Sequence, residues 1–285
     1  MRRQRVAALL ALTLTTLAGI ALTGCSAAPG ATPEPAATPT DRSPVEDHVQ
    51  GTLTIAAAAS LQPAFEELTT EFTKLHPDVT VDQLTFDGSS VLAAQIIAGA
   101  AIDVFASADE ANMQKVADAE LLASDPIPFA RSSLEIAVAP GNPLGITTLA
   151  DLGAPTQLAG AGAAGDAPVV VICAAEVPCG AASHRLLDRD GVALTPASEE
   201  QNVTAVLTKV AAGEADAGLI YRSDVLRSGG DVEGIEIAGS ADAAGLYVIA
   251  PIAESAAPEA ALAFAEFMRS PEVQARFEEL GFGQA

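Results

Sequence analysis

From about residue 51 onward the apolar positions alternate between short unbroken runs and stripes at helical spacing. GTLTIAAAAS (51–60) is a small-residue apolar run that predicts a buried strand ending at Ser60. In the segment that follows, Leu61, Phe65, Leu68, Phe72 and Leu75 are spaced four, three, four and three, which predicts an amphipathic helix with one core-facing stripe before Pro77. VTVDQLTF predicts a second strand, DGSS (87–90) a turn, and VLAAQIIAG a helix closed by Gly99. IDVFASAD predicts a third strand and EANMQKV the start of a third helix. Three strand–helix units in succession imply right-handed crossovers and a parallel sheet covered on both faces.

The second half repeats the pattern. SSLEIAVAP, PVVVICA, ADAGLIY and GLYVIAPI read as strands. TTLADLG reads as a short helix, CGAASHRLLDRDG as a helix closed by Gly191, and NVTAVLTKVAAG as a helix capped by Asn202 and stopped by Gly213. AGAGAAGDA (159–167) reads as a loop, and the C-terminal APEAALAFAEFMRSPEVQARFEELGF as two helices hinged at Ser-Pro. The fold class expected is α/β with two lobes, each a mostly parallel sheet flanked by helices. The C-terminal helices lack a sheet of their own, so the chain is expected to cross back. That places 51–132 with 243–285 in the first lobe and 133–242 in the second, with a ligand cleft between them.

The N-terminus does not belong to this pattern. MRRQR followed by an apolar run ending in LTGC reads as a lipoprotein signal peptide over 1–24, with Cys25 as the lipidated residue. No other apolar run is long enough to span a bilayer. The expected location is the extracytoplasmic face of the cell membrane, held by acyl chains. Residues 25–50 are rich in Pro, Ala and Thr and read as a tether with a reach on the order of 25–30 Å. The net charge is −23, and loss of Arg2, Arg3 and Arg5 with the leader makes the mature chain more acidic still. No basic patch is left to neutralise phosphates, which argues against a nucleic-acid partner. Beyond Cys25, Cys173 and Cys179 form an even pair for which a short-loop disulfide is expected in an oxidising compartment. His48, His76 and His184 are scattered, with no metal-ligand spacing, and His184 reads as a helix surface residue.

The candidate chemistry lies at four turns, each at the start of a predicted helix: Ser60, Ser89, Pro178-Cys179-Gly180 and Asn202-Val203. First-turn N–H groups have no intrahelical partner and carry partial positive charge. Several such ends meeting at one point make an anion site without Lys or Arg. The hydroxyls of Ser60, Ser89 and Tyr221 would add donors. Ser60, Ser89 and Asn202 are equally good helix caps, a role that needs no ligand. A serine hydrolase is disfavoured, because the chain lacks a G-x-S-x-G elbow and a histidine suitably placed beside either serine.

LTIAAAASLQPAFEEL, GSSVLAAQIIAGAAIDVFASAD, EVPCG and AGLIYRSDV resemble, in order and spacing, the molybdate-binding proteins of bacterial ABC transporters. The resemblance runs from about Leu53 to Phe282. It implies a type II periplasmic-binding-protein fold, a monomeric binding protein rather than an enzyme, and a transporter permease as partner. Molybdate or tungstate is then the ligand, molybdenum being bound as the oxyanion with no metal-ligating side chain and no cofactor. Its ligand set falls on the hydroxyls and N–H groups of Ser60 and Ser89, the N–H groups of Cys179 and Val203, and the hydroxyl of Tyr221. AGAGAAGDA and Asp87 depart from the pattern. An inward-facing Asp87 would favour phosphate or arsenate, whereas an Asp87 turned to solvent, the orientation expected, would leave molybdate favoured. Sulfate or phosphate binding, or a sensor role without transport, remain the alternatives.

Overall fold

A computed structural model describes residues 49–153 and 167–285. The leader, Cys25, the tether before Val49, and AGAGAAGDA apart from Ala167 lie outside the described residues. In chain order the first part comprises β1 (Gly51–Ala58), a 3-10 turn (Ala59–Leu61), α1 (Gln62–Leu75), β2 (Val79–Asp87), α2 (Ser89–Ile97), β3 (Val104–Ser107), α3 (Glu110–Asp118) and β4 (Ile127–Arg131). The middle comprises β5 (Leu134–Val138), α4 (Leu149–Gly153), β6 (Val170–Cys173), α5 (Pro178–Asp190), β7 (Ser198–Glu200), α6 (Val203–Ala211), β8 (Ala217–Tyr221), α7 (Arg222–Arg227), β9 (Glu233–Glu236) and α8 (Ser240–Ala244). The chain ends with β10 (Leu246–Pro251), α9 (Pro258–Phe267) and α10 (Pro271–Glu279). No helix among the described residues is long and apolar enough to cross a membrane.

Two five-stranded sheets organise these elements, in the orders β2-β1-β3-β10-β4 and β7-β6-β8-β5-β9. Each has the same plan: β1 pairs in parallel with β2 and β3, and β6 in parallel with β7 and β8. The other two pairings in each sheet are antiparallel, made by β10 with β3 and β4 and by β5 with β8 and β9. Four strands of each sheet thus run in one direction, as the strand–helix repeats led one to expect, and a single strand, β10 or β5, is reversed. The reason lies in the connections: β5 and β10 are the first strands after the chain crosses from one sheet to the other, and each enters against the direction of its neighbours. The short strands β4, β7 and β9 and the short helices α7 and α8 were not anticipated from the pattern. Each is too brief to show a period.

The strands of the first sheet sort their residues by the two-residue alternation of a pleat. Ile55, Val104, Ala106, Tyr247 and Ile249 face α1, α9 and α10, whereas Ala56, Phe105, Val248 and Ala250 face α2 and α3. The first of these cores is aromatic: Phe65, Phe72 and Phe264 meet edge-on, and Phe129 bridges to Phe277 and Tyr247. Leu61, Phe65, Leu68 and Phe72 of the predicted stripe are fully buried, but Leu75 is 64% exposed. It is the last residue of α1. His184, expected on the surface, is half-buried on α5.

Cys173 at the end of β6 and Cys179 in the first turn of α5 are joined by a disulfide. It fastens the turn that carries Val177 and Pro178. Gly180 is needed here for space, since a Cβ would stand 1.9 Å from the Ala174 carbonyl oxygen. Replacing both cysteines by serine is expected to lower stability by about 2 kcal/mol, from the entropy of a short loop. Scanning calorimetry should then record a Tm lower by about 4–8 °C.

Candidate functional site

The two serines singled out in the sequence are not helix caps. Ser60 lies inside the 3-10 turn, and neither that turn nor α1 receives a side-chain cap. The Ser60 hydroxyl instead shares a hydrogen bond of 2.9 Å with the phenol of Tyr247, on β10. Ser89 is the first residue of α2, whose capping position is held by Gly88 without a side-chain bond. Its Oγ accepts from the Ala108 N–H at 3.0 Å. That bond occupies a lone pair of Ser89 and leaves its own proton to donate elsewhere. Asn202 does cap α6, its Oδ1 accepting from the Ala205 N–H at 3.0 Å.

Three groups of the second sheet face these serines. Cys179 stands in the first turn of α5, where Pro178 takes the first helical position and needs no N–H partner. Val203 is the first residue of α6. Tyr221 ends β8 and is 1% exposed, and its Oη has no hydrogen-bond partner among the described residues. Burial, and then proximity to Tyr247 and Asp109, push its pKa well above the usual phenol value. The phenol therefore stays protonated and presents an O–H.

Ser60, Ser89, Cys179, Val203 and Tyr221 all line one cavity between the two sheets, together with Ala58, Ala59, Gly88, Ala108 and Asn202. No Lys, Arg or His is among its lining residues. Its volume is about 10 Å³, room for the centre of about one water-sized sphere, which sets a small scale for the site. Neither serine has a histidine partner, which leaves no nucleophile–base pair for a hydrolase. Among the described residues, no cluster of His, Cys, Asp and Glu could hold a metal ion directly.

Asp87 departs from its expected orientation. It is half-buried at the cavity and not turned to solvent, because its Oδ1 accepts from the Gly88 N–H at 2.7 Å and from Asn202 Nδ2 at 2.9 Å. The second of these bonds crosses the cleft, tying the end of β2 to the cap of α6. Gly88 is pressed against the same turn: a Cβ on it would come within 2.2 Å of the Gln201 carbonyl oxygen.

Tyr247 was not anticipated. The one available signal is a tyrosine inside an otherwise apolar strand, GLYVIAPI, whose buried hydroxyl must find a polar partner.

The chain matches the model of the bacterial extracellular solute-binding protein family over residues 53–283. It is 39% identical over 232 residues to the molybdate-binding protein ModA of Mycobacterium bovis and of Mycobacterium tuberculosis, covering 81% of this chain and 84% of theirs. Among solved structures, the periplasmic molybdate-binding protein of Azotobacter vinelandii superposes with a TM-score of 0.64 at 20% identity, covering 82% of this chain and 99% of that one. The sulfate-binding protein SubI of Mycobacterium tuberculosis superposes with a TM-score of 0.66 at 17% identity, covering 83% and 88%. At those identities the two structures speak for the two-lobed fold alone. The family match and the 39% identity together show that the chain belongs to the bacterial extracellular solute-binding proteins and, among them, to the ModA family.

Proposed function

We propose that this protein is the extracytoplasmic binding component of a molybdate ABC transporter, and that it holds molybdate, or the nearly isosteric tungstate, as a dehydrated oxyanion. It is a binding protein and not an enzyme. The observation that carries the reading is the convergence of donors from both lobes on one small cavity, with the Tyr221 hydroxyl buried there without a hydrogen-bond partner among the described residues. Ser60 and Ser89 supply hydroxyls and N–H groups, Cys179 and Val203 supply N–H groups, and Tyr221 supplies its phenol. Such a lining suits an ion that carries no proton. Hydrogen phosphate would bring a donor, and an unpaired donor in a dry cavity costs about 1–3 kcal/mol.

Lobe closure completes the donor set, because Cys179, Val203 and Tyr221 lie across the cleft from Ser60 and Ser89. The hinge is taken to lie where the chain crosses between sheets, at Ser132–Ser133 and at Gly245, near the borders at 132/133 and 242/243 read from the sequence. Lipidation at Cys25, the tether and delivery of the closed form to a permease by a monomeric protein complete the proposal. Asp87 is the observation that favours a second reading. A carboxylate at the cavity is an acceptor that a protonated oxyanion could use.

Calorimetric titration of the purified protein with molybdate, tungstate, sulfate and phosphate tests both readings. Sub-micromolar binding of molybdate and tungstate, with sulfate and phosphate far weaker, is the expected result; tight phosphate binding would transfer the assignment to the second. Ser89→Ala should weaken molybdate binding by about tenfold or more, the loss of one charge-assisted hydrogen bond. The lining carries no His, Lys or free thiol, and the Tyr221 phenol is held protonated. Molybdate affinity should therefore stay flat from about pH 6 to about pH 9.

Two further variants probe the cleft. Gly88→Ala places a methyl against the Gln201 carbonyl and should hold the lobes apart, weakening binding by about tenfold or more with little change in Tm. Asp87→Asn keeps the acceptor for Gly88 and Asn202 while removing a negative charge. Molybdate binding should tighten by about three- to tenfold, and any phosphate binding should fall.

A further inference from the structure

The hydrogen bond between Ser60 and Tyr247 has two possible directions, and the surroundings choose between them. Tyr247 is fully buried, with its ring fixed by Phe129, Phe282 and Tyr221 at centroid distances of 6.2, 5.4 and 5.9 Å. Were Ser60 the donor, the phenol proton of Tyr247 would need another acceptor. The Ser132 hydroxyl stands beside it, yet has no hydrogen-bond partner within bonding geometry. An unpaired phenol donor in this core would carry the full penalty of a desolvated polar group. With Tyr247 donating, the phenol is satisfied and one lone pair of Ser60 is occupied. The Ser60 proton is then left to point into the cavity that Ser60 lines.

We propose that Tyr247 is a positioning residue that aims the Ser60 hydroxyl proton toward the bound oxyanion. The inference rests on the oxyanion reading above. Tyr247 touches no ligand itself and acts through Ser60. Its role parallels that of the Ala108 N–H, which occupies the acceptor side of Ser89 in the same way. A serine hydroxyl is free by nature to donate or to accept. Both serines of the first lobe have one lone pair taken and the proton left for the cavity, each through a different partner. The consequence is specificity: an ion arriving with a proton meets serine oxygens that are each already engaged, poorer acceptors than free hydroxyls. Burial, the larger influence, holds the Tyr247 phenol protonated throughout the physiological range, so the device does not switch off with pH.

The test compares wild type, Tyr247→Phe, Ser60→Ala and the double variant by calorimetric titration with molybdate and with inorganic phosphate. The Phe variant keeps the ring and its packing and removes only the hydroxyl. It is expected to weaken molybdate binding about five- to tenfold. It should also narrow the preference for molybdate over phosphate, because the Ser60 hydroxyl is then free to rotate and offer its oxygen to a protonated ion. A variant that merely loosened the core would weaken both anions alike. The double variant should bind molybdate no more weakly than Ser60→Ala alone, since Tyr247 acts only through Ser60. Unchanged molybdate affinity in Tyr247→Phe, or additive losses in the double variant, would overturn the proposal while leaving the oxyanion reading intact. Absence of oxyanion binding by the wild-type protein would overturn both. Should the Phe variant not fold, proton NMR of the wild type decides: the buried Tyr247 hydroxyl resonance should shift when molybdate is added, and a resonance that does not move would overturn the assignment.

Discussion

On the function proposed above, the cleft answers to one requirement, that its hydroxyls and helix ends present hydrogen atoms to its centre. Neutral donors can replace the hydration shell of an anion only if several reach it from different directions. Helix N-termini supply such donors without mobile charge, and hydroxyls supply more if their protons are aimed inward. Aiming is the harder part, because a hydroxyl is ambivalent. The Ala108 N–H fixes Ser89, and the buried Tyr247 phenol is positioned to fix Ser60. Burial keeps Tyr221 protonated, and its O–H has no hydrogen-bond partner among the described residues. The aromatic core of the first lobe thus bears on the site, since the ring contacts that hold Tyr247 also set where its hydroxyl lies.

The need for donors on opposite sides explains why two sheets meet here. Ser60 and Ser89 sit at the carboxyl ends of β1 and β2, and Cys179, Val203 and Tyr221 at the corresponding ends in the second sheet. Each sheet is completed by a strand that enters after the chain has crossed over, so the cavity lies beside the crossings. The contact between lobes is close enough to demand glycine. Gly88 meets the Gln201 carbonyl, and Gly180 lets α5 approach Ala174 so that the Cys179 turn faces the cavity. The Asp87–Asn202 bond adds a polar tie across the same seam.

The acidity of the chain looks unsuited to an anion binder, and distance resolves the contradiction. A net charge of −23 is spread over a surface several Debye lengths across, and at ordinary salt each exposed charge is felt for only about 8–10 Å. Within the cleft the nearest carboxylate is Asp87, and two donors already hold one of its oxygens. Local dipoles act there with less screening than at the open surface, because the residues that line the cavity are mostly buried.

Local signals in the sequence were strong wherever a single element carries the information. The periodicity of α1, the small-residue strands, the Asn202 cap and the helix starts bearing Ser89, Cys179 and Val203 were all legible, because each depends on residues a few positions apart. So were the turns that line the cavity, since a strand-to-helix junction marks itself by its capping and glycine residues. Three things were decided only in three dimensions. Ser60 and Ser89 look like caps in sequence, but their hydroxyls turn to Tyr247 and Ala108, partners 187 and 19 residues away. Leu75 continues the apolar stripe of α1 yet, as the last residue of that helix, stands exposed. Asp87 reads as a solvent-facing turn residue, but a cap in the other lobe donates to it across 115 residues. The sequence by itself determined which segments become helices and strands and which turns carry donors, because those follow from local sterics and spacing. The direction of each hydroxyl proton, and the side of the cleft that each carboxylate faces, belonged to the tertiary structure alone, because only packing brings the deciding partner within hydrogen-bond reach.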